Sequence, residues 1–142
     1  MNWSDHHSLS ENFANQADVA RFQRDIDKAR LFYQQGAEQE EMALAQLDEN
    51  DSRTLGILAV STVALYYKAG ETARARQVAN EQLQQPDLPS FAVFQLNELL
   101  EEIEKTELLL RDVAQWSASV PVSLSDRERL QKAIADWKTS AA

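Results

Sequence analysis

A short phrase occurs twice in this chain, 34 residues apart: Leu31-Phe32-Tyr33-Gln34-Gln35-Gly36 returns as Leu65-Tyr66-Tyr67-Lys68-Ala69-Gly70. A period of roughly 20 to 50 residues marks architectures in which each unit buries its face against the next, so the echo predicts helical hairpins stacked in series. Sliding the chain by the same interval puts Leu44 on Val78 and Ala45 on Ala79, which extends the match. It also puts Glu41 on Ala75, Met42 on Arg76 and Leu47 on Glu81, so the repetition is degenerate in the second half of each unit.

The composition agrees with helices. Only three Gly and three Pro occur in 142 residues, 44% of which are hydrophobic, so an all-α chain with one core is expected. The absence of cysteine excludes disulfides, thiolate zinc sites, iron-sulfur clusters and cysteine nucleophiles. The opening residues, Met1 to His7, show no basic start followed by an apolar run, so the cytoplasm is the expected compartment. The longest apolar stretch, Leu55 to Tyr67, falls short of the ~20 residues a bilayer span needs. It reads better as a buried central helix, with no membrane insertion.

Fourteen basic and twenty-three acidic residues give a net charge of −9, which repels phosphate backbones and excludes general nucleic-acid binding. The acids cluster in two runs, Glu38, Glu40, Glu41, Asp48, Glu49 and Asp51, then Glu98, Glu101, Glu102, Glu104 and Glu107. Two readings are open: solvated outer helix faces, or an acidic docking surface.

Along the chain, residues 1–14 are polar and are expected as a flexible tail before a single all-α domain over 15–142. Val19, Phe22, Ile26, Ala29 and Phe32 predict a first helix from about Asp18 to a break at Gly36. A second runs over Glu38–Glu49 with Met42, Ala45, Leu44 and Leu47 inward. Asn50-Asp51-Ser52 caps a third, Arg53 to Ala69, which Gly70 ends. A fourth, Glu71 to Gln85, is stopped by Pro86 and Pro89. Ser90 opens one long helix over 90–117, with Ala92, Leu96, Leu99, Ile103, Thr106, Leu110 and Val113 on one stripe. After a linker over 117–122, Ser125 and Glu128 form a capping-box pattern for a last helix over 125–139, with Leu130, Ile134 and Trp137 on a narrow apolar face.

The 34-residue period, an aromatic four residues before a Gly and an Ala five residues after it resemble the tetratricopeptide repeat. Tyr66, Gly70 and Ala75 fit that spacing, whereas the first unit keeps Phe32 and Gly36 but has Glu41 in place of the small residue. The early Trp and the Leu-Gly pair of the family are replaced by Ala59, Thr62 and Val63, and in the first unit by Asp25, Lys28 and Ala29. The resemblance implies antiparallel helix-turn-helix units, two of them over 22–89, forming a fragment of a right-handed superhelix capped by the long helix and a short C-terminal helix. It further implies a groove that receives a peptide or partner helix. By spacing, that groove would be lined by Gln23, Ile26, Arg30, Tyr33 and Gln34, then Ile57, Val60, Ala64, Tyr67 and Lys68. Arg30, Tyr33, Tyr67 and Lys68 would suit a carboxylate or acidic segment. Alternatively, residues 90–117 fold back and fill this groove with their own apolar stripe.

Adjacent His6 and His7 point apart on any helix, which makes a poor metal pair, and the carboxylates lack the spacing of a di-iron site. No phosphate loop, nucleophile elbow or zinc-protease motif occurs, so neither catalytic residues nor a cofactor or metal is expected. Trp3, Trp116 and Trp137 read as core or subunit-interface residues rather than a stacking platform, and an exposed indole at Trp116 or Trp137, near the ends of the last two helices, would favour a dimer contact. The expected function is a non-catalytic protein-protein interaction module that binds a protein or peptide segment through a helical groove or self-associates as a homo-oligomer. The alternative is an acidic regulatory or inhibitory protein that binds a basic partner through its carboxylate faces.

Overall fold

A reciprocal cap starts the chain. The Asn2 side chain accepts the Asp5 N–H at 2.9 Å and the Asp5 carboxylate accepts the Asn2 N–H at 3.0 Å, which opens helix α1, Trp3–Phe22. The computed structural model describes residues 1–48, 50–119 and 124–140, without the side chains of 124–127 and 140. Residues 1–14, expected as a flexible tail, are therefore helical from Trp3 onward. Their inward face, His6 and Ser10 followed by Ala17 and Ala20, is polar or small and so carries no apolar stripe to betray it.

The next helix, α2, spans Ile26–Ala45 and runs straight through Gly36. The expected break at Gly36, and with it the first helix over 18–36 and the second over 38–49, is thus corrected. Gly36 serves close approach instead: a Cβ there would meet the Ser10 carbonyl at 3.3 Å and the Phe13 Cβ at 3.4 Å, both on α1. The inward stripe of α2 is Ala29, Tyr33, Gly36, Ala37, Glu40 and Ala43, so Met42 and Ala45 face outward rather than into the core.

Helix α3, Ser52–Lys68, is capped by Asp51, whose carboxylate accepts the Thr54 N–H at 3.1 Å and the Thr54 hydroxyl at 2.7 Å. Those two bonds hold the Asp51 carboxyl below its ordinary range. A turn at Gly70 (φ +80°) leads into α4, Thr72–Leu83, followed by α5, Ser90–Ser119, and α6, Leu124–Ser140. These four match the sequence expectation in number and order. Of the linker expected over 117–122, residues 117–119 belong to α5 instead; residues 120–123, Glu49 and the Ser125 side chain of the expected capping box lie outside the described residues.

The structure is all-α: no strand occurs among the described residues, and no helix of theirs is long and apolar enough to cross a membrane. Helices α1 and α2 form one antiparallel hairpin and α3 and α4 another. Their register differs from that of the echo. α3 ends 46 residues after α1 (Lys68 against Phe22), and α4 begins 46 after α2 (Thr72 against Ile26). The turns agree in detail: the Asp25 N–H reaches back to the Ala20 carbonyl and the Glu71 N–H to the Tyr66 carbonyl, each at 2.9 Å. Arg24 (φ +62°) therefore stands where Gly70 stands.

α3 lies at the centre, packed against α2, α4, α5 and α6. α5 runs parallel to it, from Gly56, where a Cβ would meet the Pro89 Cγ at 2.6 Å, to Tyr67, whose hydroxyl lies 2.6 Å from that of Thr106. No α5 residue beyond Thr106 is buried, so the last part of this helix overhangs the hairpins.

Left-handed backbone strains any residue with a Cβ, so Arg24→Gly is expected to raise the unfolding free energy by about 1 kcal/mol and Gly70→Ala to lower it by about 1 kcal/mol or more. Urea titrations followed by circular dichroism check both; an Arg24→Gly chain no more stable than the wild type would refute the equivalence of the two turns.

Candidate functional site

The six residues expected to form a groove lie on the neighbouring faces of α2 and α3, and the structure commits most of their polar atoms internally. Tyr33 is fully buried, and its hydroxyl donates to Asp18 on α1. Burial, reinforced by that carboxylate, pushes the phenol up to about 12. The Lys68 ammonium sits 5.7 Å above the Tyr33 ring, a cation-π contact that joins α3 to α2. Tyr67 is buried under α5 through its bond with Thr106. Arg30 donates from Nε to the Ala69 carbonyl at 3.2 Å and braces the Gly70 turn. Ala64 is half-buried, and Gln34 reaches Glu38 at 3.4 Å. Arg30 and Gln34 border a shallow hollow of about 240 Å³ with Asp27, Leu31 and Glu71. The structure thus brings Tyr33 and Lys68 together, but the segment seated over Tyr67 is the chain's own α5.

A second cluster escaped the sequence reading. Glu40, 1% exposed, binds the His7 ring Nδ1 at 2.7 Å through one oxygen and accepts the hydroxyls of Ser10 at 3.1 Å and Ser61 at 2.9 Å through the other. One carboxylate therefore ties α1, α2 and α3. His6 alongside bonds Gln39 at 2.8 Å, so both histidines belong to the interior of a hairpin rather than to a tail. The set contains Ser, His and Glu, yet its wiring differs from that of a nucleophilic triad. Both hydroxyl protons go to the carboxylate, and the outer His7 nitrogen faces Glu11 at 3.3 Å instead of a serine. The helical spacing of Ala29, Tyr33, Ala37 and Glu40 would have placed Glu40 inside had α2 been read through Gly36.

Glu41, expected on a solvated face, binds Tyr66 at 3.1 Å and pairs with Arg74 of α4. Burial, with the Glu41 charge beside it, pushes the Tyr66 phenol up to about 12. Burial works against the Arg74 charge, but Tyr66 and Glu41 hold its guanidinium above the usual range. Glu41 is thus the acceptor for two helices. Glu98, Glu101, Glu102 and Glu104 are exposed on α5, while Glu107 pairs with Arg76 at 2.7 Å.

The end of α6 docks near the Gly70 turn, where Thr139 is buried. Burial and the Arg30 guanidinium push the Lys138 ammonium below its usual range, and Glu71 and Glu107 pull it partly back. Farther out, α6 and the overhanging end of α5 enclose an apolar groove of about 240 Å³, lined by Leu109, Leu110, Val113, Leu130, Ile134 and Trp137. Beside it Leu108, Leu109 and Trp116 are 47%, 45% and 57% exposed. A larger cleft of about 520 Å³ opens between the ends of α2 and α4, with Leu44, Leu47 and Leu55 on its walls and Asp48 and Asp87 at its edge. Among the described residues, no group of three or more His, Asp or Glu is placed to hold a metal ion.

Compared with protein-family profiles, with curated proteins and with solved structures, the chain matches none.

Removing one member of a buried charged cluster leaves its partners unpaired. Glu40→Ala is therefore expected to lower stability by about 3 kcal/mol in urea titration, against no more than about 0.5 kcal/mol for exposed Glu38→Ala. An equal, small effect for both would remove Glu40 from its structural role. A pH series tests the two phenols. Free tyrosine ionises at 10.0 and these at about 12, so above pH 10 the folded chain keeps protons that the unfolded chain releases. Their contribution is complete below pH 10 and lost as pH rises to about 12. Lys138, whose folded value is lowered, acts in the opposite sense below its free value of 10.5. Denaturation midpoints should fall across the alkaline window, and Tyr33→Phe with Tyr66→Phe should flatten the fall; an unchanged slope would contradict the assignment.

Proposed function

We propose that the chain is a non-catalytic protein-protein interaction module whose contact surface is the exposed apolar side of the α5–α6 hairpin. The observation that carries this reading is the overhang: beyond Thr106, α5 presents Leu108, Leu109 and Trp116 to solvent beside an apolar groove. Contiguous apolar surface of this kind costs free energy in water unless another surface covers it. The α2–α3 face supports the reading less well, because Tyr33 and Tyr67 are buried and bonded within the chain. In the tetratricopeptide-like reading, Tyr66, Gly70 and Ala75 belong to the hairpin α3–α4, and α5 takes the place of the bound segment.

A second reading, an acidic surface for a basic partner, draws on Glu98, Glu101, Glu102 and Glu104, all exposed on the first half of α5. Salt separates the two, because exposed charge pairs weaken as ionic strength rises and apolar contacts do not.

Immobilised chain is expected to retain its binding partner, a second copy or another protein, at both low and high salt. Leu109→Asp with Trp116→Ala should abolish retention while the helical circular dichroism stays unchanged, and Glu101→Gln with Glu102→Gln should leave it intact. Retention that survives the first pair and is lost with the second would overturn the hairpin in favour of the acidic face.

A further inference from the structure

Resting on that reading, we infer that the occupant of the α5–α6 surface is a second copy of this chain, with Trp116 of each copy seated in the apolar groove of the other around a two-fold axis.

Spacing gives the first support. Leu109, Val113 and Trp116 follow one another by four and three residues on α5, and Leu130, Ile134 and Trp137 do the same on α6. Steps of four and three make the seam of a helical bundle. Helical hairpins with such seams complete a core by pairing face to face, because a layer of two helices has no second layer against which to bury itself. The same hairpin offers a projection and a recess: Trp116 is 57% exposed, and the groove beside it, about 240 Å³ and walled by Leu110, Val113, Leu130 and Ile134, has room for an indole. A knob and a hole on one surface are what a two-fold contact requires, since residue i of one copy meets residue j of the other and the reverse.

Charge gives the second. Residues 1–107 hold nine basic and nineteen acidic side chains, whereas residues 108–142 hold five and four. Two such chains repel one another over most of their surface. The near-neutral end is where they approach without that cost, and contact there keeps the acidic parts far apart.

Dimensions set the strength. From Glu107 to Ser119 the overhang of α5 is about 20 Å long, and with α6 alongside it makes a face about 20 Å wide, so two copies bury roughly 800 Å² in total. That is the small size of weak, reversible contacts, so dissociation is expected at micromolar or higher concentration.

Sedimentation equilibrium and light scattering of the full chain from about 1 to about 200 μM, the span around such a constant, test the inference. The expected result is a shift from the 16.1 kDa monomer to twice that mass. Dimerisation should tighten with added salt, as screening removes the repulsion between acidic parts. Trp116→Ala should keep the chain monomeric throughout with unchanged helical content, and Leu109→Asp, on the wall of the groove, should do the same from the receiving side. A monomer at every concentration overturns the second copy, as does a dimer indifferent to both substitutions or one that weakens in salt. A monomer whose Trp116→Ala and Leu109→Asp variants lose a different protein would overturn only the occupant and leave the hairpin as the contact surface; a chain that retains nothing through this face would overturn both.

Discussion

A helix that is apolar over most of its surface has to be covered over most of its surface, and α3 is such a helix. Its buried residues, Gly56, Leu58, Ala59, Thr62, Val63, Leu65, Tyr66 and Tyr67, cover more than half of the cylinder rather than one narrow stripe, and the remaining side carries Ile57, Val60, Ser61, Ala64 and Lys68, exposed or only partly covered. Four helices pack against it, and small buried residues, Ala69 and Ala75 at the α4 turn and Ala92 on α5, accompany the approach of two of them. Gly56 shows how tight the enclosure is, since α5 enters where no side chain would fit. The open groove suggested by the repeat spacing would leave one side of α3 wet. Burying a side chain such as Leu or Phe contributes about 1.5–3 kcal/mol, so the long apolar stripe of α5 fills that side in preference to water.

Which parts of this were legible in the sequence follows from where the chain carries strong punctuation. Asp51 as cap, Gly70 as stop, and Pro86 and Pro89 after α4 each remove or satisfy backbone groups in a way that residue type alone reveals, and the boundaries of α3, α4 and α5 were read accordingly. The first hairpin lacks such marks. Its turn uses Arg24 in a left-handed conformation that an L residue adopts only when the tertiary structure imposes it. Gly36, the obvious breaker, is instead the place where two helices touch. The echo joined Gly36 to Gly70 by residue type, although the one supports packing and the other a turn.

The same ambiguity governs the polar interior. Glu40 and Glu41 belong to one run of acids, and a charge run on a helix normally marks the solvated face. Once α2 continues through Gly36, the helical period carries Glu40 onto the stripe of Ala29, Tyr33 and Ala37, where His7, Ser10 and Ser61 supply its partners. Glu41, one residue on, turns toward Tyr66 and Arg74. Two adjacent carboxylates thus connect α1 to α3 and α2 to α4, and a reading that misplaces one helix boundary loses both. Of the residues expected at a binding site, Tyr33, Tyr67 and Arg30 are held by intramolecular partners, which the spacing could not convey.

Enclosing α3 also determines what is left over. α5 has 30 residues, but its buried stripe over α3 ends at Thr106, because α3 itself ends at Lys68. The remainder carries Leu109, Val113 and Trp116 past the end of the core, and α6 returns along it with Leu130, Ile134 and Trp137. A chain that needed only to cover α3 could stop near residue 107, and a solvated extension would favour polar residues at these positions. The extension is instead apolar, nearly neutral in an otherwise acidic chain, and shaped with both a projection and a recess. Its physical character is that of half a core, and this is the ground on which the proposed pairing with a second copy rests.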